Sequence, residues 1–252
     1  MSGALEIAMI GMRAQQRALE TVAGNISNIN TPAFKRVDIR FAELVGTSTG
    51  TNTSGSVDAV AGVTPWSLPA LDMQGQIEAT NNPRDLAIEG SGFVELLGPG
   101  GKTLLWRGGT LRVMEDGALA NSDGLILKAG ITVPQDALAM RIDRDGKVYA
   151  SQAGTQTESQ IGEINLVRVL DPAAIERLDG GVYALNDETG VLAGAPGEDG
   201  LGNLVQGSIE RSNVDLNAEM VALLIAQRAY SANAQVARAA DEFYGVANGL
   251  RR

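Results

Sequence analysis

The chain of 252 residues contains no cysteine and no histidine, and its aromatic residues are limited to four Phe, four Tyr and two Trp. The missing cysteines exclude disulfides and thiolate metal sites. The missing histidines exclude imidazole ligands, the Ser/His/Asp and Cys/His nucleophile systems, and histidine general-base chemistry. No apolar run approaches membrane-spanning length, so no membrane span is expected. The start Met1-Ser-Gly-Ala lacks the basic region, apolar core and cleavage site of a secretory signal, which predicts either a cytoplasmic chain or export by a route that reads no such signal. Basic residues are outnumbered, giving a net charge of -10, and that argues against nucleic acid as a partner because phosphate binding needs a basic patch. With 31 glycines and few aromatics, the composition fits a soluble, turn-rich protein better than a densely packed enzyme.

What is present concentrates at the two ends. Leu5, Met12, Leu19 and Ile26 recur every seven residues near the N-terminus, and Leu216, Leu223, Tyr230, Ala237 and Tyr244 do so near the C-terminus. Seven residues are close to two helical turns, so each set forms a narrow apolar seam by which helices pair. The alternate positions of the second seam, Met220, Gln227, Ala234 and Asp241, are small or polar in three cases of four, a poor core for two isolated helices and a better one for close packing among several copies. Charge is partitioned in the same sense. Residues 1–45 carry +1 and residues 206–252 are neutral, which leaves -11 on residues 46–205. Neutral ends tolerate packing against copies of themselves more readily than an acidic middle does.

The first helix is expected from Ser2 to about Ile26, ended by Thr31-Pro32 because the residue before Pro avoids the helical region. The last is expected from an Asp215 N-cap to about Ala247. Phe34 to Val45 is ambiguous between strand and short helix, and residues 46–70, rich in Ser, Thr and Gly, read as an extended arm in which Trp66 is either a loose surface residue or an anchor. Residues 75–205 read as short antiparallel strands. Alternating residues flank Asp116-Gly117 and Asp145-Gly146, the dipeptide of a two-residue hairpin turn, and a further hairpin is expected at Pro99-Gly100-Gly101.

Candidate chemistry is sparse. Asp143-Arg-Asp145-Gly146 resembles half a calcium loop, but the first and last ligands would be Arg141 and Gln152, so a hairpin turn is the better reading. Gly90-Ser91-Gly92 is no nucleophile elbow. A glycosidase would need only two carboxylates, yet the acidic residues sit mostly beside turns, as at Glu115-Asp116, Asp187-Glu188 and Glu198-Asp199. No catalytic residue, metal site or cofactor is expected.

Three stretches carry a family resemblance. Asn25-Ile-Ser-Asn28-Ile-Asn30-Thr31-Pro32-Ala33-Phe34-Lys35-Arg36 resembles the N-terminal signature of bacterial flagellar axial proteins, and Gln206-Gly-Ser-Ile-Glu210-Arg-Ser212-Asn213-Val214-Asp215, followed by Glu219-Met220-Val221 and Gln227-Arg228-Ala229-Tyr230, resembles their C-terminal one. Gly75 to Phe93 is similar to the segment opening the β domain of rod and hook members. Two departures stand out: Ala33 replaces the usual Gly, and Leu105-Trp106-Arg107-Gly-Gly-Thr-Leu111 replaces a more aromatic strand.

The resemblance implies an α+β fold in which residues 1–45 and 206–252 form a coiled-coil inner domain. Residues 46–74 would be an inter-subunit arm carrying Trp66, and 75–205 a mainly antiparallel β outer domain. It implies a non-enzymatic rod subunit, with the distal type favoured over the proximal, forming a helical homo-oligomer. Its further partners would be other rod and hook subunits, the flagellar type III export apparatus and surrounding ring proteins, in the periplasmic basal body. The assembly interface would comprise the two seams with Asn28, Phe34, Lys35, Asn213, Met220 and Gln227. A cell-wall glycosidase and a hook-like or cap-like subunit are the alternatives.

Overall fold

A computed structural model describes residues 2–44, 62–152, 158–171, 175–185 and 190–249. Contacts divide the chain into two units, one of Met1–Ser27, Val37–Leu68 and Asp215–Arg252, the other of Asn28–Arg36 and Pro69–Val214. Among the described residues the architecture is α+β, with a helix at each end and mainly antiparallel sheets between.

In the first unit, helix α1 (Ser2–Ser27) packs on helix α2 (Leu216–Gly249). Asp215 caps α2 as its residue type dictates: its Oδ1 accepts from the Asn217 amide at 2.8 Å and the Ala218 amide at 3.3 Å. The buried and half-buried positions of α1 include Leu5, Ala8, Met12, Gln15, Leu19, Val22 and Ile26, a strict alternation of three and four residues. On α2 the shielded positions include Glu219, Leu223, Ala226, Asn233, Ala237, Ala240 and Tyr244. The positions alternating with the seven-residue set thus lie at 219, 226, 233 and 240, one residue before those expected, and Met220, Gln227 and Asp241 are exposed. The observed positions hold two small residues and two polar ones, with no large side chain in the place of Met220, so they bury little apolar area.

Strands β1 (Val37–Leu44) and β2 (Gly62–Pro69) form a separate two-stranded sheet. This resolves the ambiguous stretch after Phe34 as strand and makes residues 62–69 of the expected extended arm the second strand of a ribbon. The greater part of the arm, residues 46–61, lies outside the described residues.

The second unit is built on a nine-stranded sheet joined by smaller ones. Strands Phe93–Leu97 and Thr103–Trp106 pair antiparallel around Pro99-Gly100-Gly101, with Val94 opposite Trp106 and Leu97 opposite Thr103. Alternation sends Val94, Leu96, Leu104 and Trp106 into the main core with Leu86, Ile88 and Val148, and Phe93 and Leu105 to a second cluster with Val167, Ile175 and Tyr183. The segment Leu105-Trp106 that departs from the family strand is therefore fully core.

Both Asp-Gly hairpins form, but with a different turn from the one expected. Gly117 N–H donates to Met114 O and Met114 N–H to Ala118 O. Gly146 N–H likewise donates to Asp143 O and Asp143 N–H to Lys147 O. These are three-residue loops, a type I turn followed by a left-handed glycine, in which only Gly117 (φ 84°) and Gly146 (φ 88°) have positive φ. Asp116 instead accepts from the Ala118 amide at 3.0 Å. Asp143-Arg-Asp145-Gly146 is accordingly a hairpin turn.

Candidate assembly site

In the second unit the two signatures lie side by side as extended segments. Ala33 N–H donates to Glu210 O at 2.7 Å, Asn213 N–H to Phe34 O at 3.3 Å, and Arg36 N–H to Asn213 Oδ1 at 2.6 Å. Asn213 Nδ2 in turn donates to Ala70 O and Met73 O. Ala33, in the place of the family glycine, takes φ 57° and is buried, so the turn after Pro32 is kept at the strain of a left-handed alanine. Asn28 Oδ1 accepts from the Thr31 hydroxyl, closing the turn that leads out of α1.

Between the segments sits a buried ionic cluster. Glu210 Oε1 accepts from Lys35 Nζ at 2.6 Å and the Gly75 amide at 2.7 Å, and its Oε2 from Arg107 Nε at 2.9 Å. All three charged side chains are nearly inaccessible. Lys35 Nζ also reaches Met73 O at 2.8 Å, while the Arg107 guanidinium reaches the carbonyls of Gly92 and Gly90 and lies over the Phe93 ring. Burial pushes the Lys35 ammonium below its ordinary value; the Glu210 carboxylate opposes this and the Arg107 charge reinforces it. Burial likewise pushes the Tyr183 phenol up to about 12, against the nearby Arg177 and Arg107 charges. Phe34 is buried beneath the Arg177 guanidinium, 4.0 Å from its ring centre. The cluster therefore ties residues 33–36, 73–75, 90–93, 107 and 210 into one body.

A second polar cluster lies within the helical unit. Asn25 Nδ2 donates to Val37 O at 3.0 Å and Glu219 Oε2 at 3.2 Å, and its Oδ1 accepts from Val37 N–H at 3.0 Å. Asn25 and Glu219 are both buried.

Of the residues expected at the interface, Leu5, Met12, Leu19, Ile26, Leu223, Ala237 and Tyr244 are half-buried along the paired helices. Phe34, Lys35 and Asn213 meet in the second unit, with Asn28 half-buried beside them in sequence. Leu216, Met220, Gln227, Tyr230 and Trp66 are exposed. A further apolar stripe, Val221, Ile225, Ala232, Val236, Ala239, Phe243 and Val246, runs along the outer face of α2, and its large members are 50% to 70% exposed. Sequence reasoning singled out neither this stripe nor Glu210, Arg107, Asn25 and Glu219 as site residues. A charged residue directly after the apolar Leu104-Leu105-Trp106, and a Glu inside the C-terminal signature, were the available signals.

The buried carboxylates among the described residues, Asp85, Glu210 and Glu219, are each held by internal donors. Similarity to known proteins says which kind of chain this is. Residues 5–35 match the family model described as flagella basal body rod protein, residues 87–150 that of the flagellar hook protein FlgE/F/G D1 domain, and residues 205–250 that of the flagellar basal body rod FlgEFG protein C-terminal region. The chain is 34% identical to the flagellar basal-body rod protein FlgG of Caulobacter vibrioides, covering 98% of this chain and 99% of that one. It is 31% identical to the FlgG of Borreliella burgdorferi over the full length of both. A flagellar hook protein FlgE of Brucella abortus is 40% identical, but over 50% of this chain and 30% of the hook protein.

The three matched segments place the chain among flagellar axial proteins. The chain belongs to the flagellar basal-body rod protein family, and it is a structural subunit of the basal-body rod.

Proposed function

We propose that copies of this chain polymerise helically into the distal rod, a drive shaft that carries motor torque to the hook and encloses an export channel. The observation that carries this reading is the outer stripe of α2. Val221, Ile225, Val236, Phe243 and Val246 lie exposed along one side of a helix whose other face is already occupied by α1, and Ile7 and Met9 of α1 are exposed as well. A helix apolar on two faces is built to be buried on both. In the polymer the paired helices of successive copies form a coiled-coil inner domain around the channel, the β unit lies outward toward the ring proteins, and the ribbon with exposed Phe41 and Trp66 bridges neighbouring subunits. Gln227-Arg228-Ala229-Tyr230 favours the distal over the proximal type. Export runs through the flagellar type III apparatus, and the site of action is the periplasm.

The test is a side-chain-resolution electron-microscopy map of the intact rod. The proposal expects a helical array of this chain with the α2 stripe buried against neighbours around an axial channel. A chain that is absent from the array, or whose stripe faces solvent within it, overturns the reading.

A further inference from the structure

The pairing of α1 with α2 poses a specificity problem that its apolar residues do not solve. Much of the seam is alanine: Ala8 and Ala18 on one helix, Ala226, Ala229, Ala237 and Ala240 on the other. Sliding one helix past the other by seven residues would bring each member of the seven-residue sets, Leu5, Met12, Leu19 and Ile26 on α1 and Leu223, Tyr230, Ala237 and Tyr244 on α2, into the place of the next, apolar for apolar. Two contacts are not repeated in this way. At one end Asn25 is held between the Val37 backbone, which it meets with both its amide groups, and the Glu219 carboxylate. Fourteen residues back along α1 and fourteen on along α2, a Cβ at Gly11 would stand 2.8 Å from Asn233 Nδ2, so the missing side chain of Gly11 is the space that Asn233 fills. The two contacts are two heptads apart on both helices and thus belong to one antiparallel register.

We propose that Asn25 with Glu219, and Gly11 with Asn233, are specificity-determining residues that fix a single register of α1 on α2 and anchor that register to the start of β1. A slip by one heptad would bring Asn25 opposite an alanine, Ala226, and leave both it and Glu219 buried without each other. It would also bring Asn233 against a residue with a side chain, Gln15 not being opposite but Ala4 or Ala18. Buried polar groups at single seam positions are the means by which otherwise degenerate helix pairs choose one register. In a subunit that must present the same outer stripe in every copy, a fixed internal register keeps that stripe at a constant height.

Because the chain has no cysteine, register can be read by disulfide trapping in the full-length protein. Ala229→Cys is combined in turn with Gln15→Cys, which is opposite in the observed register, and with Ala8→Cys or Val22→Cys, which report slips of one heptad either way. In the parent background the 15–229 pair should form at least about ten times faster than either slipped pair, a ratio equivalent to about 1.4 kcal/mol of register preference. With Asn25→Leu and Glu219→Leu added, helix content by circular dichroism should be unchanged, while that ratio falls several-fold as slipped pairs appear. Asn25→Gln with Glu219 retained keeps a polar pair in that layer and should preserve part of the ratio. If the parent shows no preference for 15–229, or if the leucine variant keeps the full ratio, the proposal is overturned. The measurement is made on the free chain, so its outcome is separate from that of polymerisation.

Discussion

At the residue scale the fold hinges on Glu210. Its two oxygens neutralise part of the charge of two buried cations, and removing one member of a buried ionic group leaves the others uncompensated in a low dielectric. Glu210→Ala is expected to cost about 3 to 5 kcal/mol in urea unfolding, whereas Lys35→Met, which leaves Glu210 paired with Arg107, should cost no more than about 1 kcal/mol. Equal losses in the two variants would contradict this reading of the cluster. The same cluster sets a pH dependence. Lys35 has a folded-state pKa below 10.5, so the unfolded chain holds that proton more tightly, and stability rises with pH between the folded value and 10.5. Tyr183 has a folded value of about 12 against 10.0, so above the unfolded value the unfolded chain loses the proton first and stability falls between them. Urea midpoints should therefore peak in the alkaline range near the two ordinary values. Tyr183→Phe should flatten the fall on the alkaline side, and an unchanged fall would refute the assignment to Tyr183. Lys35 was legible as a signature residue, but its partners were not, because Glu210 and Arg107 lie 175 and 72 positions away in sequence and meet it only through the pairing of residues 33–36 with 208–213.

At the scale of elements, local chemistry was the most readable part of the chain. The Asp215 cap, the stop after Ile26 and the three hairpins all follow from residue type at fixed offsets. What pattern could not distinguish was a two-residue turn from a three-residue one, since both accept Asp-Gly and the choice depends on strand register. The structure assigns all of the positive φ to the glycine, which makes a sharp expectation. Gly146→Ala combines a left-handed alanine with a collision of its Cβ against the Ile164 carbonyl, and should lower stability by at least about 2 kcal/mol. Asp145→Ala, whose residue does not have positive φ, should change it by less than about 1 kcal/mol. Equal effects in thermal unfolding would favour the two-residue turn. The alternate positions of the α2 seam were misplaced by one residue for a related reason: a seven-residue repeat is compatible with an intermediate position three or four residues on, and only the partner helix decides.

At the scale of the whole molecule, the terminal helices carry two apolar faces with separate duties. The inner face of α2 is consumed within the chain by α1, and the outer face has no partner among the described residues of the same copy. In the polymer proposed above, only the ends pack closely on copies of themselves, in keeping with neutral ends and with the negative charge on residues 46–205. The claim is tested most directly by placing Val236→Glu and Phe243→Glu together on the outer face in the native bacterium and examining purified basal bodies by electron microscopy. Both positions are exposed in the single chain, so its helix content and unfolding midpoint should match the parent's. Burying two carboxylates at a subunit contact should instead prevent rod completion and abolish motility. Full-length rods and normal swimming with this variant would contradict the account.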